Sequence, residues 1–296
     1  MLANRTCVFI ITLLFTPIST GWVLYDNPGQ AASIEKKVEN VPYQQIAKLP
    51  INPPEQTYAY GQNEHQYIAF WAGKATEINV KAPIIMIHGG CWLSVFDMQH
   101  SIAQANGLAA AGHDVYSLEY RRTGASGGGW PTTFVDILAG INHVLGMLGN
   151  NVGVLNLIGH SAGGHLALLA ASDIQRQLAV TEREDIRFNV IGLAAITDIA
   201  EYARGENSCQ SVTKDFMQGL PEQIPARYFM ANPTNIGLVD PAISQVTLLH
   251  GGEDTIVPIS QASHQNGRTL IVPNAGHFDW LHPESVAFQQ LLEVLR

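Results

Sequence analysis

The sequence has 296 residues, which suits one large α/β domain or two small domains. Hydrophobic residues make up 46% of the chain and charged residues only 14%, so it can bury a sizeable core and does not read as disordered. The formal net charge of −9 argues against nucleic acids and anionic membranes as primary partners, because both repel an acidic surface.

Residues 1–21 have the pattern of a secretory signal peptide. Arg5 precedes an apolar run over residues 7–15, Pro17 ends that run, and small residues follow at 19–21. The run is much shorter than the roughly 20 residues that a membrane helix needs, so we expect no stable membrane insertion after cleavage. The sequence predicts a secreted or periplasmic protein, with an uncleaved membrane anchor as the alternative.

We predict an irregular, proline-rich N-terminal arm over residues 22–56. Residues 57–296 are predicted to form one domain in which strands alternate with helices. The segments that favour strands are 67–71, 84–87, 114–118, 154–158, 190–196, 246–250 and 269–272. Helices are predicted over 101–111, 131–148, 164–175 and 283–295. Residues 198–235 break the alternation and predict an inserted cap of short helices. The pattern favours a mostly parallel central sheet with helices on both faces, and ligands then bind beyond the carboxyl ends of the strands.

The pentapeptide Gly159–Gly163, GHSAG, fits the pattern G-x-S-x-G between an apolar strand and a helix. This context favours a sharp turn that exposes the hydroxyl of Ser161 above the sheet, and we predict Ser161 as a nucleophile. The glycines leave room for the backbone to pass through that turn.

A serine nucleophile needs a base to accept its proton and a carboxylate to orient that base. His277 follows the last predicted strand and is the predicted base, with His282 as the second candidate. Asp254 follows the preceding strand and is the predicted acid, with Glu253 as its alternative. We therefore expect Ser161, Asp254 and His277 to meet at the same edge of the sheet.

The loop His88–Trp92, HGGCW, directly follows a predicted buried strand and could bind a metal, supply a reactive thiol, or present backbone N–H groups. No paired Cys or His spacing supports a zinc site, and a cysteine nucleophile is redundant beside a serine. Backbone N–H groups would stabilise the oxyanion of an acyl transfer. We predict an oxyanion hole made by Gly89, Gly90, Cys91 and Ala162.

Cleavage of the signal peptide would leave two cysteines, Cys91 and Cys209. In an oxidising compartment they could form a disulfide that ties the HGGCW loop to a later loop. Connectivity does not follow from sequence alone, and the interpretation that we favour at this point is two unpaired small side chains.

Five motifs resemble those of α/β hydrolases of the esterase/lipase group with an HGGxW oxyanion motif. They are HGGCW, EYRR followed by Trp130–Pro131 and Asp136, GHSAGGH, HGGEDTIVP and GHFDWLHP. That group includes hormone-sensitive-lipase-like esterases, feruloyl-esterase-like proteins and kynurenine formamidases. The resemblance covers residues from about 57 to 296 in the expected order and implies the α/β-hydrolase fold.

The resemblance and the motifs together imply a serine hydrolase that cleaves a small-molecule carboxylic ester and needs no cofactor or metal. An arylformamidase or amidase is the first alternative, and a non-catalytic binding protein on the hydrolase fold is the second. Trp92, Trp130 and Trp280 are predicted to contact substrate in an apolar pocket. The oligomeric state does not follow from the sequence.

Overall fold

A computed structural model describes residues 37–74, 81–149, 153–180, 186–235, 244–264 and 267–296. The predicted signal peptide and the first part of the predicted arm, residues 22–36, lie outside the described residues. Within the described ranges, no helix combines the length and apolar character that crossing a membrane requires.

Eight strands of the described chain form one sheet in the order β1-β2-β4-β3-β5-β6-β7-β8. The strands are β1 (Gln56–Ala59), β2 (Tyr67–Trp71), β3 (Ile84–Ile87), β4 (Val115–Leu118), β5 (Val154–His160), β6 (Arg187–Leu193), β7 (Ser244–Gly251) and β8 (Gly267–Val272). Strands β3 to β8 pair in parallel, and β1 and β2 extend one edge in antiparallel pairing. The predicted mostly parallel sheet is confirmed.

Helices of the described chain lie before, between and after the strands. They are α1 (Tyr43–Ile46), α2 (Ile102–Ala110), α3 (Thr132–Leu148), α4 (Ala162–Val180), α5 (Ile199–Tyr202), α6 (Ser208–Ser211), α7 (Thr213–Met217), α8 (Pro225–Ala231) and α9 (Val286–Val294). The segment 198–235, for which we predicted short helices, contains α5 to α8.

The sheet is covered on both faces, and the continuous apolar sequence of strand β3 explains why both faces must be covered. All four of its residues are buried, and side chains alternate between the two faces of a strand. Ile85 and Ile87 join the apolar cluster that includes residues of α3 and α4. Ile84 and Met86 join a second cluster with residues of α2 and α9. A continuous apolar run is therefore buried on two sides, as expected for a parallel sheet between helical layers.

Two helix starts in the later half of the chain are fixed by side chains. Asn207 accepts a hydrogen bond from the N–H of Gln210, whose side chain bonds back to the N–H of Asn207, so α6 begins with a capping box. Ser285 accepts from the N–H of Phe288 at the start of α9. The first cap fixes the start of α6, which follows β6 in the chain. The second cap fixes the start of α9, which follows β8.

Candidate active site

Ser161 occupies the sharp turn between β5 and α4. Its φ of 54° lies in the left-handed region, which is uncommon for a residue other than glycine. The N–H of Ser161 donates to the carbonyl of Leu193 at 2.8 Å, which ties the turn to strand β6. A side chain at Gly163 would collide with the carbonyl oxygens of Ile87 and His88, so the turn packs directly against the end of β3. This close approach explains why the motif requires glycine there.

His277 and Asp254 meet although 23 residues separate them. Nδ1 of His277 lies 2.8 Å from Oδ2 of Asp254. Oδ1 of Asp254 accepts the N–H groups of Ile256 and Val257, both at 2.8 Å. The carboxylate is thus held by the loop after β7 and faces the loop after β8. Because Nδ1 donates to Asp254, the other ring nitrogen of neutral His277 is free to accept a proton.

The surroundings of Asp254 favour its charged form. Burial opposes ionisation, but the charge of His277, its hydrogen bond and the two N–H groups outweigh burial and hold the pKa of Asp254 below its ordinary value. A charged carboxylate stabilises a protonated imidazole beside it. The pair can therefore take up and release a proton.

The two alternative residues lie elsewhere. Glu253 has an exposed side chain, so it does not share the buried position of Asp254. His282 lies 3.5 Å from the side chain of Gln45 and accepts the N–H of Glu284 at 3.2 Å. Among the four candidates, only Asp254 and His277 pair with each other.

The HGGCW loop bends sharply directly after β3. Gly90, Cys91 and Trp92 have φ values of 106°, 52° and 58°, so three successive residues adopt left-handed backbone conformations. Gly89 passes so close to the serine turn that a Cβ atom there would lie 3.2 Å from Cβ of Ser161. Within the described chain, the N–H groups of Gly90, Cys91 and Ala162 have no hydrogen-bond acceptor. Unpaired N–H groups beside a serine hydroxyl are what an oxyanion hole offers.

A buried polar cluster supports this loop from behind, and the sequence analysis assigned it no role. Glu119 contacts His88 Nε2 at 3.1 Å and forms an ion pair with Arg122. It also accepts the N–H of Met98 at 3.0 Å, and the hydroxyl of Tyr120 donates to the carbonyl of His88 at 2.7 Å. A sequence signal for this cluster exists, because EYRR places Glu119 and Arg122 directly after the buried strand β4. Since His88 begins the HGGCW loop, the cluster fixes where the loop leaves β3.

A cavity of about 350 Å³ joins these elements. Ser161, His277, Gly90 and Cys91 all line it. The sequence analysis had assigned no site role to several other lining residues, namely Tyr43, His100, His160, Ser208, Ile256 and Phe278. Tyr43, His100 and Ser208 lie outside the motifs, whereas His160, Ile256 and Phe278 lie within the motifs that contain Ser161, Asp254 and His277.

Cys91 and Cys209 form a disulfide, so the interpretation of two unpaired side chains is wrong. The Cα atoms lie 5.3 Å apart across a sequence separation of 118 residues. Both cysteines line the cavity, so the bond joins the HGGCW loop to helix α6 at the site itself. Nothing local in the sequence predicts a contact between these two segments.

The structure places the three predicted substrate-binding tryptophans in the core instead. Trp92 is fully buried and stacks on Phe216, with ring centroids 4.7 Å apart. Trp130 stacks on Phe134 at 5.5 Å, and Trp280 is fully buried in the core beside α2 and α9. None of the three lines the cavity that contains Ser161. The prediction that they contact substrate is therefore corrected: all three pack in the hydrophobic core.

No three His, Cys, Asp or Glu side chains of the described ranges are gathered so that they could hold a metal ion. The polar groups at Ser161 are the elements of a proton relay and a set of backbone donors. This arrangement can activate a hydroxyl and stabilise negative charge on a bound oxygen.

Two curated proteins are similar to this chain in sequence. Esterase LipC from Mycobacterium tuberculosis is 26% identical over 242 residues, covering 75% of this chain and 59% of LipC. The probable carboxylic ester hydrolase LipM from the same organism is 23% identical over 213 residues, covering 69% of this chain and 48% of LipM. The chain thus spans only about half to three-fifths of the length of these curated relatives.

The fold also matches solved structures. The crystal structure of esterase B from Lactobacillus Rhamnosis superposes with a TM-score of 0.65 at 22% identity, covering 85% of this chain and 88% of that one. This match confirms the predicted α/β-hydrolase fold. The sequence profile of the BD-FAE family matches residues 72–267, about two thirds of the chain, and includes the HGGCW loop, the Ser161 turn and Asp254. The chain belongs to the BD-FAE family.

Proposed function

We propose that the protein is a serine hydrolase of carboxylic esters. The observation that carries the proposal is the pairing of His277 with Asp254 at a cavity that Ser161 also lines. The names of the relatives support the reaction class, since LipC is an esterase and LipM a probable carboxylic ester hydrolase. The nearby unpaired N–H groups are suited to the same chemistry.

In the proposed reaction, Oγ of Ser161 attacks the ester carbonyl while Nε2 of His277 accepts its proton. Asp254 stabilises the imidazolium that forms. The tetrahedral intermediate collapses, the C–O bond to the leaving group breaks, and His277 gives the proton to the departing alcohol. Water then attacks the acyl-enzyme with His277 as the base again, which releases the acid and restores Ser161.

The N–H groups of Gly90, Cys91 and Ala162 would receive the carbonyl oxygen as it becomes negative. Such donors stabilise the transition state more than the substrate, because the charge develops only during attack. Gly90 and Cys91 lie between His88, which the Glu119 cluster holds, and the Cys91–Cys209 disulfide, and this favours their role because a preorganised donor does not need to reorient.

The substrate class that the cavity favours is a small, uncharged ester. No Lys, Arg, Asp or Glu side chain of the described chain lines the cavity, and its walls include Leu93, Phe96, Ile256 and Phe278. An ionised group would lose its hydration there without gaining an opposite charge. We propose that the reaction takes place outside the cytoplasm, which the Cys91–Cys209 disulfide supports because such bonds persist in oxidising compartments.

Two measurements on the purified protein test the proposal. Diisopropyl fluorophosphate is expected to add one diisopropylphosphoryl group, with loss of fluoride, that tandem mass spectrometry locates on Ser161. Hydrolysis of p-nitrophenyl acetate and butyrate should stop in the labelled protein. N-formylkynurenine is the comparison substrate, and preferred turnover of this formamide would contradict the ester assignment. Labelling at another residue with activity retained would exclude Ser161 as the nucleophile.

Reduction of the disulfide is expected to lower the free energy of unfolding by about 2–4 kcal/mol, because the bond closes a long loop in the unfolded chain. Urea unfolding with and without a reductant measures the difference. A Cys209→Ser variant is the matched control, since the reductant should not change its midpoint. Equal stability of the wild-type protein with and without the reductant would contradict this prediction.

A further inference from the structure

Residues 38–46 of the predicted N-terminal arm reach the candidate active site. Tyr43, the first residue of α1, lines the cavity that contains Ser161. Its ring centroid lies 5.4 Å from that of Phe278 and 5.9 Å from that of Phe96, with tilted and edge-on geometry. Aromatic rings at these distances attract each other beyond the simple effect of burial. An arm residue is thus part of the cavity wall.

The arm is held by one buried carboxylate. Oδ2 of Asp279 accepts the N–H of Asn40 at 2.7 Å, and Oδ1 accepts the N–H of Val41 at 2.5 Å. Asp279 is fully buried, and its own carbonyl accepts the hydroxyl of Ser285 at 2.5 Å. Hydrogen bonds to a carboxylate are roughly twice as strong as those between neutral groups. Asp279 therefore fixes the backbone of the arm two residues before α1.

Apolar contacts and strand pairing complete the attachment. Val41, Ile46 and Leu281 form a small buried cluster against which Phe278 packs. Val38 forms an isolated parallel bridge with Ser285. The arm is thus attached to the segment 278–285, which directly follows His277.

We propose that Tyr43 is a specificity-determining residue that limits the length of the apolar group in the cavity, and that Asp279 is the positioning residue that holds Tyr43 there. The inference rests on the proposed esterase function and adds to it a residue outside the sheet and its crossover helices. The ring of Tyr43 packs against Phe96 and Phe278, which also line the cavity, so it can contact an apolar group of the substrate.

Variants of Tyr43 test the first half of the proposal. Hydrolysis of p-nitrophenyl butyrate and octanoate gives a ratio of kcat/KM values for long over short acyl chains. Tyr43→Ala enlarges the cavity and is expected to raise this ratio about tenfold, because filling or emptying an apolar pocket changes selectivity by that order. Tyr43→Trp is expected to lower it. The change for butyrate should appear in KM rather than kcat, which loss of general stability would not produce.

Gln44→Ala is the matched control, because Gln44 is the next residue of the same helix and is exposed. Its ratio should equal that of the wild-type protein. An unchanged ratio in both Tyr43 variants would overturn the role of Tyr43.

Asp279→Asn tests the second half. It keeps the size of the side chain but removes the charge that holds two N–H groups, so the arm should detach more often. Tryptic cleavage after the exposed Lys48 is expected to speed up, and the selectivity ratio should move in the same direction as in Tyr43→Ala. Unchanged cleavage and an unchanged ratio would exclude Asp279 as the positioning residue. If this variant does not fold, the Tyr43 variants still decide whether the arm controls selectivity.

A binding measurement separates this inference from the proposed function. p-Nitroacetophenone is an uncharged ketone that has no leaving group to lose, and its affinity can be measured by calorimetry without turnover. Tyr43→Ala is expected to weaken binding about tenfold, whereas Gln44→Ala should not change it. Loss of affinity in a protein that hydrolyses no ester would refute the esterase proposal and support the role of Tyr43. If the protein hydrolyses esters but neither its ketone affinity nor its acyl selectivity depends on Tyr43, the esterase proposal is supported and the role of Tyr43 is refuted.

Discussion

Replacement of Ser161 by alanine is expected to lower kcat/KM for p-nitrophenyl butyrate by at least about 10⁴-fold, because the acyl-enzyme can no longer form. The backbone donors and the cavity remain in this variant, so a small residual rate above that in water is expected. Steady-state hydrolysis at neutral pH measures the loss.

Ser172→Ala is the matched control for this experiment. Ser172 is a buried serine like Ser161 and lies in helix α4, but its hydroxyl donates to the carbonyl of Leu169 and it does not line the cavity. Its removal should cost about 1 kcal/mol of stability and leave kcat unchanged. Hydrolysis that survives Ser161→Ala at the wild-type rate would assign the reaction to another nucleophile and remove the basis of the proposed function.

Much of the fold and several residues of the candidate site could be predicted because their signals are local. Each chemical motif follows an apolar strand within a few residues, and parallel strands bring their carboxyl ends to one edge. This placed Ser161, Asp254 and His277 near one another, and the structure pairs the last two. Boundaries were less exact: the apolar run 190–196 suggested a strand ending at Ile196, whereas β6 ends at Leu193 because Ala194 turns with a φ of 46°.

The contacts that could not be predicted join segments that no local pattern connects. Asn40 and Asp279 are 239 residues apart in the chain, and Cys91 and Cys209 are 118 apart. The misplaced tryptophan Trp92 has a different cause. Its position next to the two glycines suggested a site role, but the left-handed turn at residues 90–92 sends its ring into the core against Phe216.

The folded protein is expected to lose stability steeply as the pH falls below about 6.5, because several buried histidines are neutral in the folded state. Burial lowers the pKa of His165 to about 4, although its hydrogen bond to the carbonyl of Ala231 opposes the shift. Burial and the charge of His88 lower the pKa of His100 to about 3. Burial and the charge of His277 also hold the pKa of His160 well below its ordinary value.

These shifts act in one direction on the free energy of unfolding. In the unfolded chain each histidine takes up a proton near pH 6.5, whereas the folded protein binds that proton only at a much lower pH. Between the pKa of the folded protein and the pKa of the unfolded chain, the unfolded state therefore binds more protons. The free energy of unfolding is highest above pH 6.5 and decreases as the pH falls below that value. At pH 5 the loss is about 2 kcal/mol each for His100 and His165, and His160 adds to it. The sum is a large part of the 5–15 kcal/mol that typically stabilises a domain.

Urea unfolding at pH 8, 6.5 and 5, with the disulfide intact, measures this dependence. His165→Gln is the informative variant, because an amide can still donate to the carbonyl of Ala231 but cannot take up a proton in this pH range. Its stability at pH 8 is expected to be lower than that of the wild-type protein, but its fall between pH 8 and pH 5 should be smaller by about 2 kcal/mol. An equal fall in both proteins would show that folding does not lower the pKa of His165 and would contradict this prediction.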